Sequence, residues 1–502
     1  MTTGENTMSN NLDRQGLLSG ENVKAYILAI TAIAAVIGLY YILTGPTASI
    51  QPPRSQPSTG PPGQSPPPVG GPGLGLLNSW PLWGQLVFPS VLQLIAGIVC
   101  IIAFGFTVNY IYNKKGTRSS ILLIVIIGVI LIITTNLLQG WETGITQTFG
   151  GATEIFGDMV RVDGFFDFIS NYETIQPTLT THARTQPPGA VLFIYLLYLG
   201  LGSPDLIAIA LCVIAAVGSA FFVRGIFRHL FDDDYARYTT LLYLILPAVQ
   251  VYYLANIYAI VATLTIGVLY FYLHSDRRVA LGGSFLCLFF LTFITFLSVF
   301  MVFFLFIYEI LTANSEGKIE GFHGRLKVSL KSIQSPLILS LAIGTVYGLL
   351  QMTFGFNLVN AFLYASSLEN PNGFMLLTSP IEYFVTRLQN VLDIIIFFGP
   401  VLSVLAYRGF IMLREEANRN PDSLRKYNLL LAAIIALGLL FLAGAPKKGE
   451  TARICMFILP FLLIPVTTYI QRTNMNNRNK AILLLLVFGQ TVLMQLFGIW
   501  VW

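Results

Sequence analysis

The chain has 502 residues, of which 55% are hydrophobic and 11% charged, against roughly 45–50% apolar and about 25% charged in soluble domains. With a mean hydropathy of +0.70, these proportions exclude a soluble fold, a disordered chain and a nucleic-acid binder, and predict an all-α polytopic membrane protein. The net charge of +5 is read as topology, because cytoplasmic loops of membrane proteins collect Lys and Arg.

Residues 1–45 are expected to form a cytoplasmic tail and a first transmembrane anchor, since 1–23 are polar and the run 24–44 lacks a short core followed by a small-residue cleavage site. Residues 46–83 read as a Pro/Gly-rich exoplasmic linker: ten prolines fall between Pro46 and Pro72 among Gly, Ser and Gln, a composition that builds no core. A second added span is expected within 84–112. Further apolar runs follow at 119–139, 190–202, 206–223, 238–253, 257–274, 279–293, 295–312, 335–353, 391–407, 428–444, 453–470 and 481–500. They predict about 13–14 transmembrane helices, depending on whether 190–223, broken at Gly202-Ser203-Pro204-Asp205, crosses once or twice. Cys100, Cys212, Cys287 and Cys455 all lie inside apolar runs without metal-ligand spacing and read as small core residues.

With a cytoplasmic N-terminus, only Arg54, Arg161, Arg184, Arg387, Lys447, Lys448 and Arg453 fall outside, leaving 22 of the 29 basic residues inside. That asymmetry sets the orientation. The outside loop 140–188 is far longer than a connector needs. It carries Glu142, Glu154, Asp158, Asp163, Asp167 and Glu173 against Arg161 and Arg184. Ile155, Met159, Val162, Phe166 and Ile169 recur at helical spacing, which predicts an amphipathic interfacial helix with Asp158 and Arg161 on its polar side. The loop ends in Thr181-His182-Ala183-Arg184-Thr185-Gln186-Pro187-Pro188-Gly189. Pro-Pro stiffens the chain ahead of the next helix, so His182 and Arg184 are held at a defined place at the membrane surface, as a binding site requires.

These features, followed by Asp232-Asp233-Asp234-Tyr235-Ala236-Arg237 and a run containing Pro247, resemble the GT-C superfamily of membrane glycosyltransferases. The branch most similar is the one related to protein mannosyltransferases and lipid A aminoarabinose transferase. The resemblance spans about residues 119–500 and makes 113–502 a GT-C-like transmembrane catalytic module with an amphipathic helix in its first large exoplasmic loop. It implies transfer, with inversion, of a sugar (hexosyl or pentosyl) from a polyprenyl-phosphate or polyprenyl-diphosphate carrier to an acceptor glycan, lipid or protein in the cell envelope. It also implies a carboxylate of the first outside loop as catalytic base, which falls on Asp158, then Asp163, then Glu142. A carboxylate suits the role because a hydroxyl attacking an anomeric carbon must lose its proton. Two carboxylates would also suit a divalent cation, Mg or Mn, against the donor phosphate; no organic cofactor is expected.

A second outside feature is Ala445-Pro446-Lys447-Lys448-Gly449-Glu450-Thr451-Ala452-Arg453, where three of the seven outside basic residues cluster. Positive charge on the disfavoured side calls for a negative partner, and a lipid phosphate fits a planar Arg453 donor fork. Lys447, Lys448, Glu450 and Arg453 are therefore expected to bind the donor together with His182 and Arg184. The third outside loop, 354–390, offers Asn360, Tyr364, Glu369, Asn370, Glu382, Arg387 and Asn390 without an assignable role. The rival reading is a transporter or lipid flippase, which tends to place ionisable groups near the bilayer midplane rather than at one surface.

Overall fold

The computed structural model describes residues 17, 19–44, 85–113, 121–146, 154–274, 276–316, 333–446 and 450–500. The Pro-rich linker and two expected donor ligands, Lys447 and Lys448, lie outside the described residues. Among those described, regular structure is helical apart from a two-residue antiparallel ladder in which β1 (Gln85–Leu86) pairs with β2 (Gly498–Ile499).

The helices in chain order are α1 (Gly20–Thr44), α2 (Val91–Asn113), α3 (Ile121–Asn136), α4 (Thr181–Arg184), α5 (Gly189–Leu201), α6 (Pro204–Leu230), α7 (Asp233–Leu244), α8 (Pro247–Tyr252) and α9 (Ile257–Tyr272). They continue with α10 (Arg277–Ile294), α11 (Val299–Glu316), α12 (Gln334–Phe354), α13 (Leu358–Glu369), α14 (Pro380–Phe398), α15 (Pro400–Ala417), α16 (Pro421–Leu442), α17 (Thr451–Ile454), α18 (Leu459–Arg472) and α19 (Asn477–Phe497). Eight helices among the described residues are long and apolar enough to cross a membrane, or nine if the bent pair α14 and α15 counts as one span. The chain is a multi-pass membrane protein.

Three of the expected runs depart from straight full-length spans for geometric reasons. Helix α5 has 13 residues, about 20 Å at 1.5 Å per residue, against a hydrocarbon core of about 30 Å. It ends at Gly202, whose φ of +66° closes the helix in the left-handed region, and α6, with 27 residues, crosses fully. The run 238–253 splits at Pro247 into α7 and α8, whose apolar residues are buried inside the bundle. The run 391–407 straddles a bend of 100° at Gly399, so it is no straight span.

The core is continuous from α3 through α6, α9, α16, α18 and α19, with Leu, Ile, Ala and Phe meeting in the centre. The Asp232 to Arg237 segment holds an ion-pair knot. Asp233 meets Arg224 and Arg237, each at 2.9 Å. All the polar features described next gather at one end of the bundle.

Candidate active site at one end of the bundle

Helix α3 is apolar until its last residues, Thr135 and Asn136, which are buried and polar. Buried amides need partners, and here they find one another. Asn136 Nδ2 donates to the Gln250 carbonyl at 2.7 Å, Thr135 Oγ1 donates to Gln250 Oε1 at 3.0 Å, and Gln495 Nε2 donates to Asn136 Oδ1 at 3.1 Å. This network joins α3, α8 and α19 at the floor of a pocket. Its lining includes Tyr252 and Asn256, Trp500 beyond α19, and two charged side chains, Glu154 and Arg453.

Glu154 opens the second described stretch of the long acidic loop, from 154 onward. The chain behind it forms a 3-10 helix, Ile155–Arg161, then a short α-helix, Phe165–Ser170, in place of the single amphipathic helix expected. Ile155, Met159, Val162 and Ile169 are buried as the spacing predicted, while Phe166 is exposed. The change of helix type moves Asp158. At three residues per turn, i and i+3 eclipse, so Asp158 follows Ile155 into the interior rather than lying on the polar side, and it is 0% exposed. Its Oδ2 accepts from the Thr180 amide at 2.8 Å and the Thr180 hydroxyl at 2.5 Å, and its Oδ1 lies 3.4 Å from Arg161 Nε. Asp158 thereby ties the two ends of the loop together.

The far end of the loop is fixed just as firmly. Tyr172 is fully buried and its hydroxyl donates to the carbonyls of Ala183 and Gln186. Gln176 Nε2 donates to the Arg184 carbonyl at 2.9 Å. Gly189, which begins α5, sits against the Phe293 backbone so closely that a Cβ would lie 2.3 Å from its carbonyl oxygen; a side chain there would push the loop away. Gln186 Nε2 donates to the Tyr258 hydroxyl at 2.9 Å, and the Arg453 guanidinium sits 5.6 Å from the centre of the same Tyr258 ring.

Tyr258 thus links the Pro-Pro segment to Arg453 on α17, and the charged groups converge beside it. Arg453 is 4% exposed; its Nη2 is 2.8 Å from Glu450 Oε2 and its Nη1 is 4.0 Å from Glu154 Oε1. His182 Nε2 is 3.8 Å from the same Glu154 oxygen. Burial pushes the Glu154 carboxyl up to about 7, with Arg453 opposing the shift and Glu450 adding to it. Burial, and then Arg453, push His182 down to about 3, so the imidazole is neutral at physiological pH. Burial works against the Arg453 charge too, but Glu450 and Glu154 outweigh it and hold the guanidinium protonated.

Of the residues singled out in the sequence, His182, Glu450 and Arg453 come together. Arg184 is half-buried on α4, with its carbonyl engaged by Gln176. Glu142 begins a π-helical turn, Glu142–Thr146, and is exposed, although Thr143 and Gly144 beside it line the pocket. Asp163 is exposed in the break between the two short helices of the loop. The acid that meets the basic hairpin is Glu154, one of six in the loop and without any pattern to single it out. Glu173 and Asn360 form a latch between loops: the Glu173 carboxylate accepts from the Asn357 amide at 2.8 Å and from Asn360 Nδ2 at 3.0 Å.

The expected divalent cation finds no ligand set among the described residues, where no three His, Cys, Asp or Glu side chains converge. The two acids that do converge, Glu154 and Glu450, both face Arg453, which already supplies the positive charge between them. These residues do not fit a metal.

No protein-family model and no curated protein matches the sequence. Solved structures similar to the chain are those of an oligosaccharyltransferase from Archaeoglobus fulgidus. The complex of that protein with Zn and sulfate is 12% identical, with a TM-score of 0.47 over 75% of this chain and 53% of the other. Its apo form, and the oligosaccharyltransferase AglB with an inhibitory peptide and a dolichol-phosphate, each give 12% identity and a TM-score of 0.47 over 77% of this chain and 57% of the other. The chain spans little more than half the length of these proteins.

Proposed function

We propose that this chain is a GT-C-type glycosyltransferase that moves a sugar from a polyprenyl-phosphate or polyprenyl-diphosphate carrier to an acceptor at the exoplasmic face of the membrane. The observation that carries this reading is the meeting of Glu154 with Arg453 in a polar pocket at one end of an apolar bundle, with a carboxyl poised near 7 and a guanidinium held charged.

In this mechanism the acceptor hydroxyl attacks the anomeric carbon and passes its proton to the Glu154 carboxylate. The bond from that carbon to the phosphate oxygen breaks, and the electron pair leaves with the carrier phosphate. Arg453 meets the charge that develops there, using donors whose geometry matches phosphate oxygens. A base with a pKa near the working pH combines a useful fraction ionised with enough basicity to take the proton. Lys447 and Lys448 stand just before Glu450 in the sequence and would add charge against the phosphate. Neutral His182 beside Glu154 would hold the carboxylate's orientation without competing for its charge.

The bend of 100° between α14 and α15 would suit a transporter, where broken helices line a passage. Here, however, the polar side chains of α14 are engaged with the neighbouring loop, which favours surface chemistry. The test is to reconstitute the full chain in liposomes with a panel of radiolabelled polyprenyl-phosphate sugars and measure carrier release. Release that exceeds protein-free vesicles and is lost in Glu154→Gln supports the reading; no release across the panel, or release unaffected by Glu154→Gln and Arg453→Ala, overturns it.

A further inference from the structure

Helix α14 carries two opposed faces. Ile381, Phe384, Leu388 and Val391 are 82%, 63%, 55% and 45% exposed and form one apolar stripe turned away from the protein. Tyr383, Thr386, Asn390 and Asp393 are buried on the other side, with Arg387 beside them. A polar face in such a helix must be spent on something, and here it is spent on the segment that leads to Arg453.

The grip covers the chain from the end of α16 to Pro446 and takes hold again at Thr451, the start of α17. Arg387 Nη1 donates to the carbonyls of Phe441 at 2.6 Å and Ala445 at 3.1 Å, and its Nη2 donates to those of Pro446 at 2.5 Å and Gly444 at 3.4 Å. Asn390 Nδ2 donates to the Pro446 carbonyl at 3.0 Å, and Asn390 Oδ1 accepts from the Thr451 hydroxyl at 2.8 Å. Asp393 Oδ2 accepts from the Thr451 amide at 3.2 Å. Arg387, Asn390 and Asp393 follow one another at i, i+3 and i+6, so a single stripe of the helix holds both sides of the hairpin.

We propose that Asp393, assisted by Asn390 and Arg387, is a positioning residue of the site: it fixes the Thr451 amide and thereby aims Arg453, two residues on, at the donor phosphate. The inference rests on the function proposed above. None of the three is among the pocket's lining residues, so their effect on the donor passes through Arg453. A carboxyl side chain suits this place because the first amides of a short helix have no carbonyl partners within it, and its oxygens can accept from them. Asp393 is fully buried, with its carboxyl group against the start of α17.

The experiment titrates farnesyl phosphate, a short soluble polyprenyl phosphate, into the purified full chain in detergent by calorimetry, with hydrogen exchange over 450–455 and thermal unfolding measured on the same samples. Loss of the acceptor in Asp393→Ala is expected to weaken farnesyl phosphate binding by about tenfold or more and to speed exchange over 450–455. Asp393→Asn keeps an oxygen facing the Thr451 amide and is expected to restore the affinity to within about threefold. Thr451→Val keeps the shape but removes the hydroxyl bond to Asn390, and serves where Asp393→Ala does not fold; it is expected to weaken binding several-fold. Wild-type affinity in folded Asp393→Ala or in Thr451→Val, with Arg453→Ala losing affinity, overturns the positioning role and leaves the proposed function standing. Wild-type affinity in Arg453→Ala as well removes the donor site itself, and the positioning role with it.

Discussion

The Arg453 guanidinium lies 4.0 Å from the Glu154 carboxylate, joining the acidic loop to a short helix near the other end of the chain. Each changes the other's chemistry: Arg453 restrains the rise of the Glu154 pKa, and Glu154 helps to keep Arg453 charged. Removing Arg453 would favour the neutral Glu154 acid, whereas removing Glu154 leaves Arg453 paired with Glu450 alone.

Glu154→Gln is expected to lower transfer by about 10²–10⁴, the usual worth of a general base, while donor binding is kept. The pH profile gives a second reading. The base must be ionised, so the rate should rise with pH through a midpoint of about 7 and lose that limb in the variant. A wild-type profile flat between pH 5 and 8 would count against Glu154.

The same cluster gives stability a pH dependence with two opposing parts. Glu154 is raised from 4.5 to about 7, so the folded state binds the extra proton between those values and stability is lost as pH rises through them. His182 is lowered from 6.5 to about 3, so the unfolded state binds the extra proton there and stability is lost as pH falls through that window. Between about 4.5 and 6.5 the two slopes largely cancel. His182→Gln should therefore expose the Glu154 slope, with unfolding temperature falling as pH is raised from 5 to 7; an unchanged curve would reject the assignment.

How much of this was legible in the sequence depends on the length scale of each feature. The apolar runs gave the membrane-crossing helices because burial in lipid is written residue by residue, and basic residues on the disfavoured side of the hairpin pointed to Arg453. The 3-10 geometry that buries Asp158 was hidden, since Ile155, Met159 and Val162 satisfy a helical spacing whichever helix forms. Glu154 was hidden for a different reason: its partners, Arg453 and His182, are tertiary neighbours. Asp393, inside an apolar run, likewise shows its purpose only when the Thr451 amide is seen against it.

Asp158 provides a contrast with Glu154. Its Oδ2 already takes two hydrogen bonds from Thr180, which tie the loop together. Asp158→Ala should destabilise the protein by about 1–3 kcal/mol, the cost of leaving buried donors unpaired. Transfer by the folded fraction is expected to stay within a few-fold of wild type. A stable, fully folded Asp158→Ala protein without transfer would return the base to Asp158.

The last prediction concerns the second span, which the sequence treats as an addition outside the catalytic module. Helix α2 lies along α19: a Cβ at Gly97 would come within 2.8 Å of Leu496 Cδ1 and 3.1 Å of Val492 Cγ1, and Phe104 meets Phe488 with ring centres 4.5 Å apart. Just before α2, the Val87 amide donates to the Phe497 carbonyl at 2.9 Å, and β1 pairs with β2. Gly498, Ile499 and Trp500 then line the pocket that holds Glu154 and Arg453. The span therefore supports a wall of the site through α19. Deleting residues 1–83 removes neither the ladder nor α2, and is expected to leave α2 and the site in place. Deleting 1–113 removes both, so transfer and unfolding temperature should fall together. Gly97→Val makes the same point without truncation: overfilling a tight helix contact costs about 1–3 kcal/mol, and if the pocket wall depends on that contact, transfer falls as well. Parallel assays of the three variants decide the matter, and full transfer by the 1–113 deletion would separate the span from the site.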